Sequence, residues 1–599
     1  MEGAAQNARP AKQARPGRGV RASVIVAALI LTLFVTLFAG LDHATVGGDG
    51  LAIYVVAESI LLDGDFDLAN QHERYREQVR QIASYALVEA PGTGRYVSHW
   101  PFGMALLWAP FLYYFWWLDA AGTFASPYVL YGLPLPGRFR AIGLALVWAA
   151  NFWGVAAWAF AARTAARAIR GWEAQLVALA VFLGTPLFFY VTIEPSFSHV
   201  GDAVTIAALL WAWFGFQRDS WAHGLLAGAL AGLAILVRWQ LFTYVVVLGA
   251  SSLLLREWRR LGGLVLGVAA LTWPISYSWY VMGGSMLRPP ILDVVPNYLG
   301  APKVISLLVS DLRGLLPWSP VSALGLLGLV AGFRRHRRQA MELLACVAAQ
   351  LLINGMIWDW WAGHSFGNRR LVSLYAVLVI GTAWLLERAE AVAARWGHRA
   401  PAAARLTLLA LAGLLASHTV TLALHYYPSR LDPATMTHSQ LARSWSDVGN
   451  WGELISFYRG HQQSLGVRRL RVPPSQPSVV ATVPPTVAAA PAAAGSARPV
   501  IDAIEVRSDT ILVHGRGFGE GLVVNVFQQQ GGTTVNLGGL GELGLPVIAR
   551  PRVSDVLLQF AVPAGLTPGP FYVEVVTPPY APANTSPNVP AAYASLARP

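Results

Sequence analysis

Between residues 22 and 424 the chain is a series of long uncharged apolar runs separated by short loops that carry arginine. A helix needs roughly 20 apolar residues to cross about 30 Å of hydrocarbon, and in lipid its backbone polar groups must be satisfied internally. Runs at about 22–41, 140–162, 174–192, 200–217, 223–238, 240–255, 261–282, 318–333, 340–357, 371–387 and 404–424 predict about eleven membrane helices. The pair 223–238 and 240–255 is short for two full spans. Of the 599 residues, 55% are hydrophobic and 13% charged, against about 25% charged in soluble domains. The apolar surplus therefore reads as lipid-facing surface.

The formal net charge of +12 would raise the question of nucleic acid in a soluble chain. Here the basic residues sit between apolar runs, where they set orientation, and no nucleic-acid partner is expected. Arg9, Lys12, Arg15, Arg18 and Arg21 precede the first run, which is long for a cleaved leader and lacks a clear A-x-A site, so it reads as an uncleaved helix with the N-terminus in the cytoplasm. On that assignment Arg163, Arg167 and Arg170, then Arg218, then Arg256, Arg259 and Arg260 fall on the cytoplasmic side. So do Arg334, Arg335, Arg337 and Arg338, and then Arg388, Arg395 and Arg399. The agreement requires that 102–118 does not cross. Pro101, Pro110 and many aromatic residues favour a helix at the outer interface. The chain then faces outward with the loop 42–138, the segment around 194–201, the loops 283–317 and 358–370, and its C-terminal tail. The single cysteine, Cys346, lies in an apolar run, so no intrachain disulfide braces these parts.

Residues 1–21 are a basic N-terminus and 22–427 the transmembrane domain. Residues 428–471 read as a polar, partly helical extracytoplasmic segment, and 472–499 as a Pro/Ala-rich linker. Short alternating strands between glycines and prolines over 500–578 predict a small all-β sandwich, and 579–599 a disordered tail. No internal repeat is visible.

Ionisable residues near helix ends are costly in a membrane protein and so are functional candidates. Asp49 follows Gly47 and Gly48 just beyond the first helix, where a carboxylate can take a proton from a hydroxyl or can cap the next helix. Asp63, Asp65 and Asp67 resemble the opening of a calcium loop, but Leu68 and Arg74 stand where that loop needs Gly and Glu. A divalent metal ion there competes with a solvated acidic turn. Glu194, His199 and Asp202 crowd the start of one helix, as a capping cluster or as groups that orient a sugar, hold a metal or assist the base. Arg238 interrupts a hydrophobic hairpin and requires an anionic partner, a phosphate or a protein carboxylate. Trp361, His364, Arg369 and Arg370 share the loop "WDWWAGHSFGNRR", an aromatic belt or a platform for sugar and phosphate. Acids, arginines and aromatics on one side fit sugar transfer from a lipid-linked phosphate. Its leaving phosphate departs as an anion, so one base and cationic stabilisation suffice.

Residues 22–424 resemble the multi-spanning C-type glycosyltransferases (GT-C), the group that includes protein mannosyltransferases and the aminoarabinose transferases of lipid A. The resemblance is carried by Asp49 with Tyr54 five residues on, by "DGDFDLAN", "HWPFGMALLWAPF", "EPSFSHVGD" and "GLAILVRWQ", and by "WWAGHSFGNRRLVSL". It implies a polyprenyl-phosphate-sugar donor, an outward-facing site in the inner membrane of a bacterium, inversion at the anomeric carbon, and a glycan, lipid or protein acceptor. By position it implies Asp49 as base, Arg238 near the donor phosphate and Asp202 at a second acidic position. Tyr54, Glu194, His199, Trp361, His364, Arg369 and Arg370 complete the expected substrate-binding set. Related chains often place a second acid beside the first; here Gly50 follows Asp49. The segment 500–578 resembles IPT/TIG immunoglobulin-like domains through "VHGRGFGEGLVVNVF", with Gly515, Gly517 and Gly519, and through "LQFAVPAGLTPGPFYVEVVTPP". The competing readings are a transporter or flippase and a non-enzymatic envelope protein with a binding β domain.

Overall fold

The structure is a computed structural model. It describes residues 16–38, 46, 48–75, 87–89, 94–98, 100–124, 128–130, 133–135, 137–216, 219–288, 299–357, 359–363, 365–426, 437–443, 449–456 and 458, and eight strands between 500 and 593. The chain divides into two compact units, Met1–Arg468 and Arg469–Pro599.

The first unit is a helical bundle, and each of the eleven apolar runs lies on a helix. Among the described residues five helices are long and apolar enough to cross a membrane: Phe139–Ala165, Trp258–Gly283, Arg337–Met356, Arg369–Trp396 and Ala400–His425. A sixth arises if Gly171–Leu183 and Pro186–Thr192, bent by 81° at the intervening break, count as one. The other apolar helices, among them His199–Gly215, Trp221–Val237 and Trp239–Leu254, run only 10–17 residues. Seventeen residues rise about 25 Å, short of the hydrocarbon thickness. This is a multi-pass membrane protein, and its helices differ in length more than evenly spaced runs suggest.

The Gly103–Ala120 helix, 18 residues long, is not among those apolar enough to cross. Its first residue lies against backbone: a Cβ on Gly103 would come within 2.4 Å of the Leu236 carbonyl carbon. The Trp153 indole anchors it further along by donating to the Leu107 carbonyl at 2.9 Å.

Trp221–Val237 and Trp258–Gly283 meet through a seam of small residues. A Cβ on Gly224 or Gly228 would fall within 2.3 Å of the Arg260 or Leu264 carbonyl oxygen, and Gly263 and Gly267 face the first helix just as closely. Small residues allow the backbone approach that replaces hydrophobic driving force in lipid. The seam fixes the helix that ends at Arg238, where the backbone turns extended before a 3-10 turn, Trp239–Leu241. That break divides the short pair seen in the sequence.

The segment after the last long helix packs on the bundle. It holds a helix His438–Arg443 and buries Leu441, Leu454 and Tyr458. Trp451 donates to Thr421 Oγ1 at 2.9 Å, and the Tyr458 hydroxyl to the Ala423 carbonyl at 3.3 Å.

In the second unit the described residues form two four-stranded antiparallel sheets. One orders Val500–Val506, Thr510–Arg516, Leu557–Ala561 and Arg552–Ser554; the other Val589–Tyr593, Gly569–Val576, Val523–Gln530 and Thr533–Gly538. Ile511 and Val513, two apart on one face, are fully buried. The strand Val589–Tyr593 corrects the reading of 579–599 as wholly disordered. It pairs with Gly569–Val573 as an edge strand, the place in a sheet where Pro590 and its missing N–H are tolerated. The linker 472–499 lies outside the described residues.

Candidate active site

The helix Gly48–Glu58 is buried along its whole length, with Asp49 in its first turn. Asp49 is inside the helix rather than at its N-cap. Its Oδ2 lies 2.7 Å from Arg369 Nη1, and both side chains are largely buried. Arg369 opens a 3-10 stretch, Arg369–Leu374, that leads into the long helix behind it. The loop before it turns through left-handed residues, Ala362 at φ 66°, Gly363 at φ 63° and Gly367 at φ 55°. Arg370 Nη2 reaches Asp359 Oδ1 at 2.7 Å, and Arg313 Nε donates to the Ser365 carbonyl at 2.7 Å. The Arg369 guanidinium carbon stands 5.3 Å over the Phe197 ring.

Position 50 is shaped by the segment around Glu194. A Cβ on Gly50 would lie 2.5 Å from Ser196 Oγ and 2.7 Å from the Ser196 carbonyl oxygen. No side chain fits there, so the missing second acid is a consequence of packing. The same contact holds the Asp49 helix against the turn that begins His199–Gly215.

On that helix His199 and Asp202 share a face, with Nδ1 and Oδ2 3.4 Å apart. Arg238 Nη1 lies 2.7 Å from His199 Nδ1 and 3.5 Å from Asp202 Oδ2. Arginine can only donate, so His199 Nδ1 accepts and the ring proton is assigned to Nε2. Both residues are almost fully buried. Among the described residues His199 Nε2 and Asp202 Oδ1 have no hydrogen-bond partner. Tyr190 packs its ring 4.7 Å from His199, and Phe197 stacks parallel to it at 6.1 Å. Phe197 links the two arginine–carboxylate pairs into one cluster, with its ring 5.3 Å from the Arg369 guanidinium carbon and 6.1 Å from the His199 ring. Glu194, on the turn before this helix, is buried, and burial pushes its carboxyl up to about 8.

The structure thus brings Asp49, Glu194, His199, Asp202, Arg238, Arg369 and Arg370 into one region. Tyr54 turns toward aromatic packing, 6.1 Å from the Tyr75 ring and 6.5 Å from Trp116. Trp361 packs edge-on against Trp360 at 5.9 Å. His364 lies outside the described residues. Sequence reading missed Ser196, Phe197, Asp359 and Arg313. Asp359 alone gave a signal, as the lone acid in a loop with two arginines.

The acidic run builds a turn instead of a calcium loop. Asp65 Oδ1 accepts from Ser59 Oγ at 2.9 Å and from the Asp67 N–H at 3.1 Å. Asp67 Oδ1 takes the Ala69 N–H at 3.1 Å, and Asp63 Oδ2 accepts from Asn70 at 2.9 Å and also from Gln71. Among the described residues no group of three or more His, Cys, Asp or Glu is placed to hold a metal ion. The carboxylates present fit a divalent cation poorly, because Asp63, Asp65 and Asp67 point into their own turn and Asp49 into Arg369. A cavity of about 170 Å³ lies apart from the cluster, lined by Asp67, Arg95, Tyr96 and Tyr280 among others.

No protein-family model matches the chain, and no curated protein matches it. Among solved structures the chain is similar to ArnT from Cupriavidus metallidurans bound to undecaprenyl phosphate, at 17% identity and a TM-score of 0.41 over 75% of this chain and 78% of that one. It is similar to the apo state of the same protein at 16% identity and a TM-score of 0.40, covering 74% and 78%. It is also similar to the apo oligosaccharyltransferase of Archaeoglobus fulgidus, at 12% identity and a TM-score of 0.37, covering 69% and 58%.

Proposed function

We propose that this protein is a membrane glycosyltransferase of the GT-C kind, transferring a sugar from a polyprenyl-phosphate donor to an acceptor outside the cytoplasm. The observation that carries the reading is the cluster itself: two buried arginine–carboxylate pairs, Asp49–Arg369 and Asp202–Arg238, gathered around His199. A carboxylate and a cation pair in a water-poor site are what this reaction asks for. The acceptor oxygen attacks the anomeric carbon from the face opposite the phosphate. The bond from that carbon to the phosphate oxygen breaks, its electrons leave on the phosphate, and the anomeric configuration inverts. The acceptor proton passes to Asp49. Arg238, whose planar fork suits phosphate oxygens, steadies the leaving group. His199 Nε2 and Asp202 Oδ1 offer one donor and one acceptor, the pair that a sugar hydroxyl uses. The site and the β unit face the extracytoplasmic side of the inner membrane in this reading, and membrane lipid surrounds the helices. The acceptor is a glycan, a lipid or a protein.

Asp49→Asn is the direct test. It keeps the shape and removes the base, so transfer of label from a polyprenyl-phosphate sugar is expected to fall about 10³-fold while membrane insertion is kept. Undiminished transfer in that variant would remove Asp49 from the role. Mass spectrometry of envelope glycans from cells with and without the gene would identify the product.

A further inference from the structure

The chain meets the buried charge of Asp49 with an arginine. Arg369 Nη1 is 2.7 Å from the carboxylate, and the two side chains are 14% and 10% exposed. The guanidinium is held from behind by the Phe197 ring, and the stretch that follows Arg369 is buried from Leu371 to Leu374. The adjacent position is closed, because Ser196 occupies the space that a side chain at residue 50 would need. A dication at a phosphate-transfer site is held by one or two carboxylates together with substrate phosphate oxygens and water. Among the described residues the carboxylate at this position is that of Asp49, and its Oδ2 is already taken by the fixed positive group of Arg369.

We propose that Arg369 stands in the place of a divalent cation beside Asp49, as a positioning residue that keeps the carboxylate ionised and aimed, and that sugar transfer by this chain is metal-independent. The inference rests on the transferase reading above. Arg369 makes and breaks no covalent bond. The acceptor proton goes to Asp49, the anomeric carbon exchanges its phosphate oxygen for the acceptor oxygen, and the guanidinium keeps its protons throughout.

The test uses the full chain in lipid nanodiscs and has two arms. The first needs no turnover: Mn²⁺ is titrated and followed by electron paramagnetic resonance on the wild type and on Asp49→Asn. No Mn²⁺ site that depends on Asp49 is expected, and a tight site lost in Asp49→Asn would overturn the proposal. The second measures transfer. EDTA is expected to change kcat by less than about twofold, and Arg369→Met to lower kcat about 10²-fold with the donor KM within about threefold. Arg369→Lys should recover most of that loss, and added guanidinium should partly rescue Arg369→Ala, which a purely structural role would not allow. Loss of activity in EDTA that Mn²⁺ or Mg²⁺ restores would overturn the proposal, as would Arg369→Met at full kcat. If Arg369→Met fails to fold, the chelation and Mn²⁺ results on the wild type still decide. A wild type that transfers no sugar sinks the transferase reading alone, since the Mn²⁺ arm answers separately.

Discussion

The helix His199–Gly215 carries a polar cluster toward each end, one at His199 and one at Trp213, about 20 Å apart along the axis. The two clusters use the same ingredients and finish differently. At the Trp213 end Arg338 grips Glu257 with two bonds, at 2.5 and 2.9 Å, and reaches Glu342 Oε1 at 2.8 Å. Ser251 donates to the same Glu342 oxygen, and the Trp213 indole to the other at 3.3 Å. Arg260 lies 3.4 Å over the Trp213 ring and 3.4 Å from Glu257. Every carboxylate oxygen there has a donor. At the His199 end Asp202 Oδ1 and His199 Nε2 have none among the described residues. Charge alone therefore does not mark a site. Arg260 Nε at the Trp213 end also lacks a partner among the described residues, so the contrast lies in the carboxylates: with every oxygen bonded they brace a bundle, whereas a buried carboxylate with an oxygen left over pays a cost that only a bound molecule or water relieves.

The contrast can be broken or sharpened by four variants. Arg338→Met strips both glutamates of their main partner and leaves uncompensated buried charge, so it should cost about 3–5 kcal/mol of stability. Thermal unfolding in detergent would read this, with the transfer rate per folded molecule unchanged. Asp202→Asn does the reverse. It should lower transfer about 10²-fold and cost less stability than Arg338→Met, because Asn keeps an acceptor for Arg238 and His199 Nδ1 still accepts from that arginine at 2.7 Å. Equal stability losses in the two variants would erase the distinction. Gly50→Ala should cost about 1–3 kcal/mol and also slow transfer, since the Asp49 helix must back away from Ser196. A fully active, fully stable variant would refute the close approach.

The fourth concerns acidity. Arg338 bonding holds the Glu257 carboxyl below its ordinary value, so the stability it gives is present above the ordinary carboxylate range and is lost as pH falls through the lowered value. Glu194 has the opposite sign. Its carboxyl is raised from 4.5 to about 8, the folded chain binds more protons than the unfolded chain in between, and stability falls as pH rises across that window. Glu194→Gln should flatten the dependence of Tm on pH between those values, and an unchanged slope would show that Glu194 is ionised in the folded chain.

The apolar runs placed the helices because lipid demands a minimum apolar length, and the break at Arg238 falls where the two short runs meet. The ion pairs were beyond reach for a physical reason. Glu257 and Arg338 are separated by 81 positions, and nothing local to either says that they meet. The basic loops read as orientation signals also contain the arginines that hold buried glutamates. Gly50 read as a departure from a family pattern until its distant neighbour Ser196 gave it a steric cause. The D-x-D-x-D run left two readings open because one spacing serves both cation loops and self-capped turns, and the hydrogen bonds from Ser59, Asn70 and Gln71 to its carboxylates belong to a turn.

The 81° bend after Leu183 sets a depth. Pro186 has no N–H to strand, and the carbonyl released at Gly184 is met by the Thr419 hydroxyl at 3.0 Å, so the corner is a built feature. Past it, the seven residues Pro186–Thr192 run sideways and gain almost no height. The 13 residues before the corner rise only about 20 Å, less than a bilayer's apolar thickness. In the transferase reading proposed above, a span shortened at this corner lets a reactant tethered to a prenyl chain arrive by lateral diffusion within the leaflet, and a water-borne one from the aqueous side.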